Sequence, residues 1–419
     1  MSRVLIVDVS YLMFRSYFGY PNLTTKIETE NGLETMPIGA FFGFTKTVLT
    51  IIKNYQIDEL ILASDLPLPT WRHDLYDNYK SGRKKMDENL RVQIPLINDW
   101  CAQITKNFLS LRGLEADDLI ASSVINLNIN LNLQTLKDSG KIQEKNKQNI
   151  DKIETKELEN KQNNTQNNKG EIDKTIDKME NFLDFRNQYF FKKNLEKQSQ
   201  NLDLTINNKI KTKKIIQTSQ DSKFFIYSKD RDLFQLLVFD NVFFVENESN
   251  FQVFGQIEFE KKYQLHPSQW LCYKTLVGDP SDKLDGIAGI GPKTATTILQ
   301  KYKSVTNFVS KIDGQINQKI DQKLIKWQDK INIQKIAKIR HLSSLCWIDL
   351  ELESGFDLQN GLTNLVKYKL GSLINMQNQI HKQTSKDFIP LPNPVQNSKK
   401  TEKNIKNLQN SKIEMEDLF

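Results

Sequence analysis

Three carboxylates fall within four positions of the sequence, at Glu115, Asp117 and Asp118. A run of apolar and small residues follows them, and a helix over that run would place Glu115 and Asp118 on one face. Two unit charges about 4 Å apart repel by roughly 4 kcal/mol at an effective dielectric constant near 20, so a cation or metal is expected beside them. An acidic helix start, which the helix dipole favours, is the alternative explanation of this motif.

Three short apolar runs, at residues 4–7, 59–63 and 223–227, also lead into aspartates. Such runs are typical of strands that are buried on both faces of a parallel sheet. A single aspartate at a strand end could be a turn former. Because ligands of α/β sheets bind at the carboxyl ends of strands, the repetition favours a shared site. The aspartates in these positions are Asp8, Asp65, Asp230 and Asp232.

Two more aspartates, Asp279 and Asp282, break a predicted helix at residues 270–276. The chain's four histidines are scattered, so the candidate site offers only oxygen ligands, which select Mg²⁺ or Mn²⁺ over zinc. Such ions drive phosphodiester hydrolysis by two-metal chemistry, and nearby cations would neutralise the scissile phosphate. The candidate metal ligands are Asp8, Asp65, Glu115, Asp117, Asp118, Asp230, Asp232, Asp279 and Asp282, and the candidate catalytic cations are Lys80, Arg83, Arg72 and Arg15.

The segment from Thr70 to Lys85 alternates cations with aromatic residues, including Tyr76 and Tyr79. Rings can stack on bases while ammonium and guanidinium groups contact phosphates, so this segment predicts nucleic-acid binding. An ordinary exposed basic loop is the alternative.

A glycine-rich stretch at residues 286–294 precedes a predicted helix. Pro292 stands where a P-loop would need its lysine, and no strand precedes the stretch, so a helix-hairpin-helix that grips a nucleic-acid backbone fits better. A plain turn between helices is the alternative. The candidate substrate-binding residues here are Gly286, Gly289, Gly291, Lys293 and Thr294.

The bulk composition places the chain in a reducing, aqueous compartment. The three cysteines are isolated, the N-terminus lacks a signal peptide, and no apolar run is long enough to span a bilayer. The net charge of +7 is compatible with an anionic partner. Residues 126–222 are polar and low in complexity, which predicts a disordered insertion. The acidic and apolar end at residues 413–419 is either a docking peptide for a replication protein or a frayed terminus.

Taken together, these motifs resemble the flap endonuclease/5′-nuclease family, and in particular the 5′-nuclease domain at the N-terminus of bacterial DNA polymerase I. The resemblance runs from residue 3 to about 355, interrupted by the insertion. Ser64, Lys283 and Asp285 depart from the family, where an aromatic residue, Asn and Pro are usual. The motifs that carry the resemblance are Val4 to Asp8, Trp71 to Arg83, Glu115 to Asp118, Lys229 to Asp232, and Gly278 to Ala295.

The resemblance implies an α/β, PIN-like fold with a central, mostly parallel sheet flanked by helices, a helical arch, and a C-terminal helix-hairpin-helix (helix–three-turn–helix) subdomain. It implies two ions per active site. One site involves Asp8, Asp65, Glu115 and Asp117. The other involves Asp118, Asp230, Asp232, Asp279 and Asp282, so that the start of the helix at Asp117 and Asp118 would bridge the two ions. It also implies that Lys80 and Arg83 contact the scissile phosphate from the arch, that Tyr79 stacks on the strand, and that K⁺ binds at the hairpin.

The activity implied by the family is 5′→3′ exonuclease and structure-specific endonuclease action on 5′ flaps, nicks and RNA primers in DNA replication and repair. We expect a monomeric, cytoplasmic, nucleoid-associated enzyme without a membrane partner, acting beside a separate DNA polymerase and ligase in trans. A DNA-binding protein that has lost catalysis and a toxin-like ribonuclease of the PIN type are the alternatives. The expected parts are residues 1–125 and 223–265 (catalytic domain), 126–222 (insertion), 266–355 (helix-hairpin-helix subdomain) and 356–419 (C-terminal extension with a flexible tail).

Overall fold

The computed structural model of the chain describes residues 2–30, 32–82, 85–138, 216, 218–219, 221–314 and 332–384. Its strands are β1 (Arg3–Asp8), β2 (Thr24–Thr29), β3 (Gly32–Pro37), β4 (Glu59–Ala63), β5 (Phe108–Leu109), β6 (Lys223–Tyr227), β7 (Val242–Asn247), β8 (Gln252–Phe254), β9 (Gly278–Asp279) and β10 (Leu284–Asp285). Six of them form one sheet in the order β5-β4-β1-β6-β7-β8, in which only β8 is antiparallel to its neighbour. The predicted, mostly parallel sheet is confirmed.

Strand β1 lies at the centre of this sheet and pairs with β4 on one side and β6 on the other. Its side chains alternate between the two faces: Val4 and Ile6 pack into one core cluster, while Leu5 and Val7 pack into the second. All four are fully buried, because helices cover both faces of the sheet. The continuous apolar run in the sequence is therefore a strand with two buried faces.

Helices form a layer on each face of the sheet. The helices are α1 (Val9–Gly19), α2 (Gly39–Tyr55), α3 (Trp71–Leu75), α4 (Glu88–Arg91), α5 (Ile94–Ile104), α6 (Ala116–Asp138), α7 (Gln256–Tyr263), α8 (Trp270–Val277), α9 (Pro292–Tyr302), α10 (Val305–Gly314), α11 (Ile333–Leu342), α12 (Leu362–Lys367) and α13 (Gly371–Thr384). Helices α6 to α11 supply one core cluster, and α1, α2, α5, α12 and α13 supply the other. Among the helices described, none combines the length and the apolar character needed to cross a bilayer.

Helix α6 continues well past residue 126, where the insertion was predicted to begin, so that boundary is wrong. Asn126 and Asn128, at the start of the predicted insertion, are buried, and their amides bond to the helix and the core. Asn126 Nδ2 donates to Ser122 O at 2.7 Å and to Ile348 O at 2.6 Å. At the far end, Ile216 N donates to Leu352 O at 2.9 Å. The middle of the predicted insertion, residues 139–215, lies outside the described residues.

A hairpin joins helices α8 and α9, and this part of the predicted helix-hairpin-helix is confirmed. Strands β9 and β10 pair antiparallel within it. Gly278 has a φ of +83°, and a side chain there would overlap the backbone of Leu284 and Gly286. Lys283 also lies in the left-handed region, at φ +60°. Asn tolerates that conformation better than Lys, which gives a physical reason for the Asn usual in the family at this position.

After α11 the chain returns to helices α5 and α6 beside the central sheet instead of staying in a separate subdomain. Ile348 N donates to Ser122 Oγ at 3.0 Å, and Asp357 N donates to Ile104 O at 2.8 Å. Leu365 and Leu373 are buried in the core beside α2 and α5. Residues 356–384 are thus an integral part of the fold, not an extension. The predicted flexible tail, residues 385–419, lies outside the described residues.

Candidate active site

The carboxyl ends of β1 and β4 bring two of the predicted aspartates together. Asp8 caps α1 by accepting from Tyr11 N at 2.9 Å, and its other oxygen accepts from Ser228 Oγ at 2.8 Å. Asp65 Oδ1 accepts from Ala116 N at 2.8 Å, which ties the end of β4 to the start of α6. Burial raises the pKa of Asp8 to about 7, and the nearby Asp65 carboxylate adds to the rise.

Glu115 lies just before α6 and is surrounded by donors. Its carboxylate accepts from Arg72 Nη1 at 3.1 Å, from the Tyr79 hydroxyl at 3.1 Å and from Lys80 Nζ at 3.0 Å. Burial by itself would raise the pKa of Glu115, but Arg72 and Lys80 outweigh it and lower that pKa. The sequence predicted a cation beside this acidic motif, and the structure has two there, Arg72 and Lys80.

Asp118 occupies a different place from the one predicted. It is fully buried, and Arg72 grips both of its oxygens at 2.8 Å. Trp71 Nε1 and the backbone N–H groups of Glu115 and Cys346 also donate to it, at 3.2, 3.1 and 2.9 Å. With five donors on one carboxylate, the expectation that Asp118 binds a metal and bridges two ions does not fit this geometry.

Arg72 is likewise an internal residue. It is 1% exposed, and besides the carboxylates its guanidinium donates to the carbonyls of Leu342 and Ser344, both at 3.0 Å. The predicted contact with a scissile phosphate does not fit this burial. Arg72 instead fastens α3 to the start of α6 and to the end of α11. Burial would lower the pKa of Arg72, but the carboxylates of Asp117, Asp118 and Glu115 raise it well above its ordinary value.

The Asp117 carboxylate accepts from the backbone N–H of Asp118 at 2.8 Å and keeps a longer contact with Arg72, at 3.6 Å. Burial, reinforced by Asp118, Glu115 and Asp230, raises the pKa of Asp117 well above its ordinary range even though Arg72 opposes this. Such a carboxylate, buried among others of like charge, is poised to gain from a bound cation.

Asp230 is exposed, as is Asp65, and its charge acts on carboxylates in both halves of the site. It follows β6, and its Oδ1 accepts from Asp232 N at 2.7 Å. It is close enough to Asp8, Asp117 and Asp282 to raise the pKa of each. Asp230 therefore influences the carboxylates of both halves.

The second half consists of Asp232, Asp279 and Asp282, which offer carboxylate oxygens within 4.8 Å of one another. Burial raises the pKa of Asp232 to about 7. Lys274 on α8 contacts both Asp232, at 2.6 Å, and Asp279. Burial alone would raise the pKa of Asp279, but Lys274 outweighs it and lowers that pKa.

The predicted aromatic and cationic segment forms helix α3 over Trp71–Leu75 and then a turn over residues 76–82. Tyr79 is buried, and its hydroxyl lies 3.1 Å from Glu115 Oε2 and 3.4 Å from Asp282 Oδ2. This position does not fit stacking on a substrate strand. Lys80, at φ +54°, is half-buried and directs Nζ into the site. Arg83 lies outside the described residues.

Two predicted residues lie at the margins. Arg15 on α1 pairs with Glu248 and contacts the Tyr227 hydroxyl. Its side chain therefore faces Glu248 and Tyr227 and not the carboxylates of the candidate metal site. The Tyr76 hydroxyl donates to Lys283 O at 3.3 Å, and Lys338 Nζ lies 4.2 Å from the centre of its ring. Tyr76 therefore fastens the turn at residues 76–82 to the hairpin.

The predicted backbone grip is built around the hairpin. A side chain at Gly286 would overlap the backbone of Leu276 and Val277, and Gly289 has a φ of +82°. Gly291 caps α9, and its carbonyl accepts from Ala295 N at 2.9 Å. The N–H groups of the first turn of α9, which includes Lys293 and Thr294, have no carbonyl within the helix to bond, which suits a phosphate.

Sequence reasoning missed Lys274 and Ser228. A lysine within the largely buried helix α8 was the available signal for Lys274, since such a residue needs a partner of opposite charge. Ser228 carried no such signal.

The described residues of the site supply an all-oxygen donor set whose negative charges are only partly neutralised by Arg72, Lys80 and Lys274. Such a set fits hard divalent ions.

Two family models match the chain, and together they cover more than half of it. Residues 3–157 match the 5′-3′ exonuclease N-terminal resolvase-like domain, and residues 265–358 match the 5′-3′ exonuclease C-terminal SAM fold. The chain is 28% identical over 309 residues to a 5′-3′ exonuclease of Aquifex aeolicus, covering 74% of this chain and 73% of that protein. It is 25% identical to a 5′-3′ exonuclease of Mycoplasmopsis pulmonis, covering 75% and 74%.

A longer relative is the thermostable DNA polymerase I of Thermus thermophilus, which is 24% identical over 398 residues. That match spans 94% of this chain and 35% of the polymerase. Among solved structures, the bacteriophage T5 D15 flap endonuclease in complex with DNA and metal ions aligns with a TM-score of 0.46 at 16% identity, covering 92% of this chain and 100% of that one. On the two family models, the chain belongs to the 5′-3′ exonuclease family.

Proposed function

We propose that the protein is a divalent-metal-dependent 5′ nuclease, a 5′→3′ exonuclease and flap endonuclease that hydrolyses phosphodiester bonds at 5′ ends, flaps and RNA primers. The observation that carries this proposal is the convergence of carboxylates from two separate parts of the fold. Asp8, Asp65 and Asp230 come from the ends of parallel strands, whereas Asp279 and Asp282 come from the hairpin. Family membership supports the same class of reaction.

Two Mg²⁺ or Mn²⁺ ions fit this arrangement. We assign Asp8, Asp65, Glu115 and Asp117 to one ion, Asp232, Asp279 and Asp282 to the other, and Asp230 to the space between them. When bound, such a pair of ions supplies an activated water and stabilises the leaving oxygen. The chain's own part is to orient the ligands: Ser228 and Tyr11 fix Asp8, and Ala116 fixes Asp65.

Asp118 and Arg72 have a supporting role in this proposal. Their bidentate pair holds the start of α6 at a fixed distance from α3, so that Glu115 and Asp117 are presented to the ion without Asp118 as a ligand. The fixed geometry matters because a catalytic group displaced by about 1 Å can cost a hundredfold in rate.

Lys80 is the cation best placed to contact the scissile phosphate. It is half-buried and lies beside Glu115, so a phosphate at the metals would be within reach of its side chain. Lys80 would neutralise charge that develops on the phosphate in the transition state. Arg83 and Arg15 stay predictions. Arg15 would contact the scissile phosphate only after its ion pair with Glu248 has broken.

The hairpin and the start of α9 are proposed to hold the duplex backbone, with K⁺ as a candidate ion there. The exposed Lys293 and the N–H groups of the first turn are suited to phosphates and carry no information about bases. The protein would then recognise a junction by its shape. A DNA polymerase and a ligase acting in trans, a docking role for residues 413–419, and a monomeric state beside the nucleoid in the cytoplasm remain predictions.

Cleavage of labelled substrates tests the proposal. With Mg²⁺, the protein should cut a 5′-flapped duplex near its junction and cut a 5′-recessed or nicked duplex from the 5′ end, and EDTA should stop both reactions. A matched RNA hairpin without a free 5′ end serves as control. Tight duplex binding without cleavage in Mg²⁺ or Mn²⁺ would favour a binding protein, and cleavage of the RNA hairpin alone would favour a ribonuclease.

A further inference from the structure

Lys274 places a permanent positive charge inside the second group of carboxylates. The residue is 7% exposed, and its Nζ lies 2.6 Å from Asp232 Oδ1 and also contacts Asp279. These two aspartates and Asp282 have oxygens within 4.8 Å of one another. An ammonium group therefore already binds two of the three carboxylates that would hold the second metal ion.

The charges of this group explain why such an arrangement is stable. Three carboxylates so close together repel strongly in a partly buried site, and each is disfavoured further by the loss of hydration. One lysine carries three N–H donors and can satisfy two carboxylates at once. With three negative charges and one positive charge, the group keeps a net negative charge that one divalent cation would neutralise.

We propose that Lys274 is a built-in counter-ion that holds the second carboxylate group together in the metal-free protein and competes with the divalent ion that binds there. An ion entering this group must share Asp232 and Asp279 with the ammonium group, or take them from it. This position is therefore the weaker of the two metal positions. The inference rests on the proposed function, because it requires the group to bind a divalent ion.

A direct role of Lys274 on the substrate fits the structure less well. Its side chain is buried beneath the hairpin, and both of its named contacts are made to aspartates and not to the exposed edge where a phosphate would lie. Lys80, which contacts Glu115, is more accessible than Lys274. Lys274 is thus a positioning residue.

The test is Lys274→Met in the full chain, since methionine keeps most of the apolar stem and removes the charge. Mn²⁺ alone is the probe, and calorimetric titration gives the number of ions and the affinity of each. The second Mn²⁺ should bind at least about tenfold more tightly than in the wild type, because a positive charge close to the ion has been removed. The metal-free variant should unfold at a lower temperature, and Mn²⁺ should raise its Tm more than it raises that of the wild type.

A matched control is Lys261→Met on the exposed surface of α7, which changes the net charge equally and should leave both Mn²⁺ affinities unchanged. A Lys274→Met protein that folds only with Mn²⁺ would also support the inference. A folded variant that binds the second Mn²⁺ more weakly, or whose metal-free Tm equals the wild-type value, would overturn it. Wild-type protein that binds no Mn²⁺ would overturn the proposed function itself, which separates the two failures.

Discussion

Replacing Arg72 with methionine should destabilise the fold far more than it weakens DNA binding. The guanidinium makes two 2.8 Å bonds to Asp118 and one 3.1 Å bond to Glu115, and it also satisfies the carbonyls of Leu342 and Ser344. Methionine would leave the fully buried Asp118 carboxylate without its counter-charge. Removing one partner of a buried pair costs about 3–5 kcal/mol, so the free energy of unfolding should fall by that amount.

Urea unfolding followed by tryptophan fluorescence measures this change. The Tm should fall by at least roughly 6 °C, since each kcal/mol shifts a domain of this size by about 2–4 °C. Arg72→Lys should recover only part of the loss, because lysine lacks the planar fork that binds both Asp118 oxygens. Replacing the pair together, as Arg72→Met with Asp118→Leu, should recover more stability, because no buried charge is left unpaired.

The matched control is Arg91→Met, which breaks an exposed pair with Glu88 of the same 2.8 Å length. Exposed pairs contribute little, so the stability of this control should stay within about 0.5 kcal/mol of the wild type. If Arg72→Met had nearly wild-type stability but lost affinity for flapped DNA, the reasoning would be refuted, and Arg72 would be a phosphate contact after all.

Three further predictions concern the titrating aspartates and the hairpin. The pKa values of Asp8 and Asp232 are raised from 3.8 to about 7, so the fold favours their protonated forms. Each residue should therefore stabilise the metal-free fold most below about pH 4, and this contribution should be lost as the pH rises through 7. Mn²⁺ affinity, measured by titration, should conversely rise up to about pH 7 and then level off, since the ion needs both groups deprotonated; an affinity that does not change with pH would contradict this. Lys283→Asn should raise the free energy of unfolding in urea by about 1 kcal/mol, because Asn tolerates φ +60°; a loss of stability would refute the strain at this position. Gly286→Ala should lower the free energy of unfolding by about 1–3 kcal/mol and weaken duplex binding in a filter assay, because the alanine side chain would overlap the backbone of α8. Unchanged stability and unchanged binding would argue against that close contact.

The sheet and most of the carboxylates could be predicted because their signals are local. A short apolar run that ends in Asp identifies a buried parallel strand, and the carboxyl ends of neighbouring parallel strands must meet at one edge. Asp8 and Asp65 follow this rule, as does Asp230. The hairpin was equally local, since Gly286 stands where a side chain would overlap the backbone of α8, and Gly278 and Gly289 have positive φ angles.

The internal organisation of the site could not be predicted, because it depends on contacts distant in sequence. Nothing in the spacing of Glu115, Asp117 and Asp118 says which of them is buried. That is decided by Arg72, which is 46 residues from Asp118 and 270 residues from Leu342. The end of α6 was misjudged for a related reason. Asparagine usually indicates a turn, but Asn126 finds a partner in Ile348, 222 residues away.

The most direct test of the proposed hydrolysis is the single-turnover cleavage rate of a 5′-flapped duplex by Asp230→Asn in saturating Mg²⁺. The charge of Asp230 acts on carboxylates of both groups and the residue is exposed, so its replacement should disturb the metals and leave the fold intact. Cleavage should slow by at least about a hundredfold, as is typical when electrostatic stabilisation of a transition state is lost, while flap affinity stays near the wild-type value. Cleavage at the wild-type rate would contradict the assignment of these carboxylates as the catalytic centre.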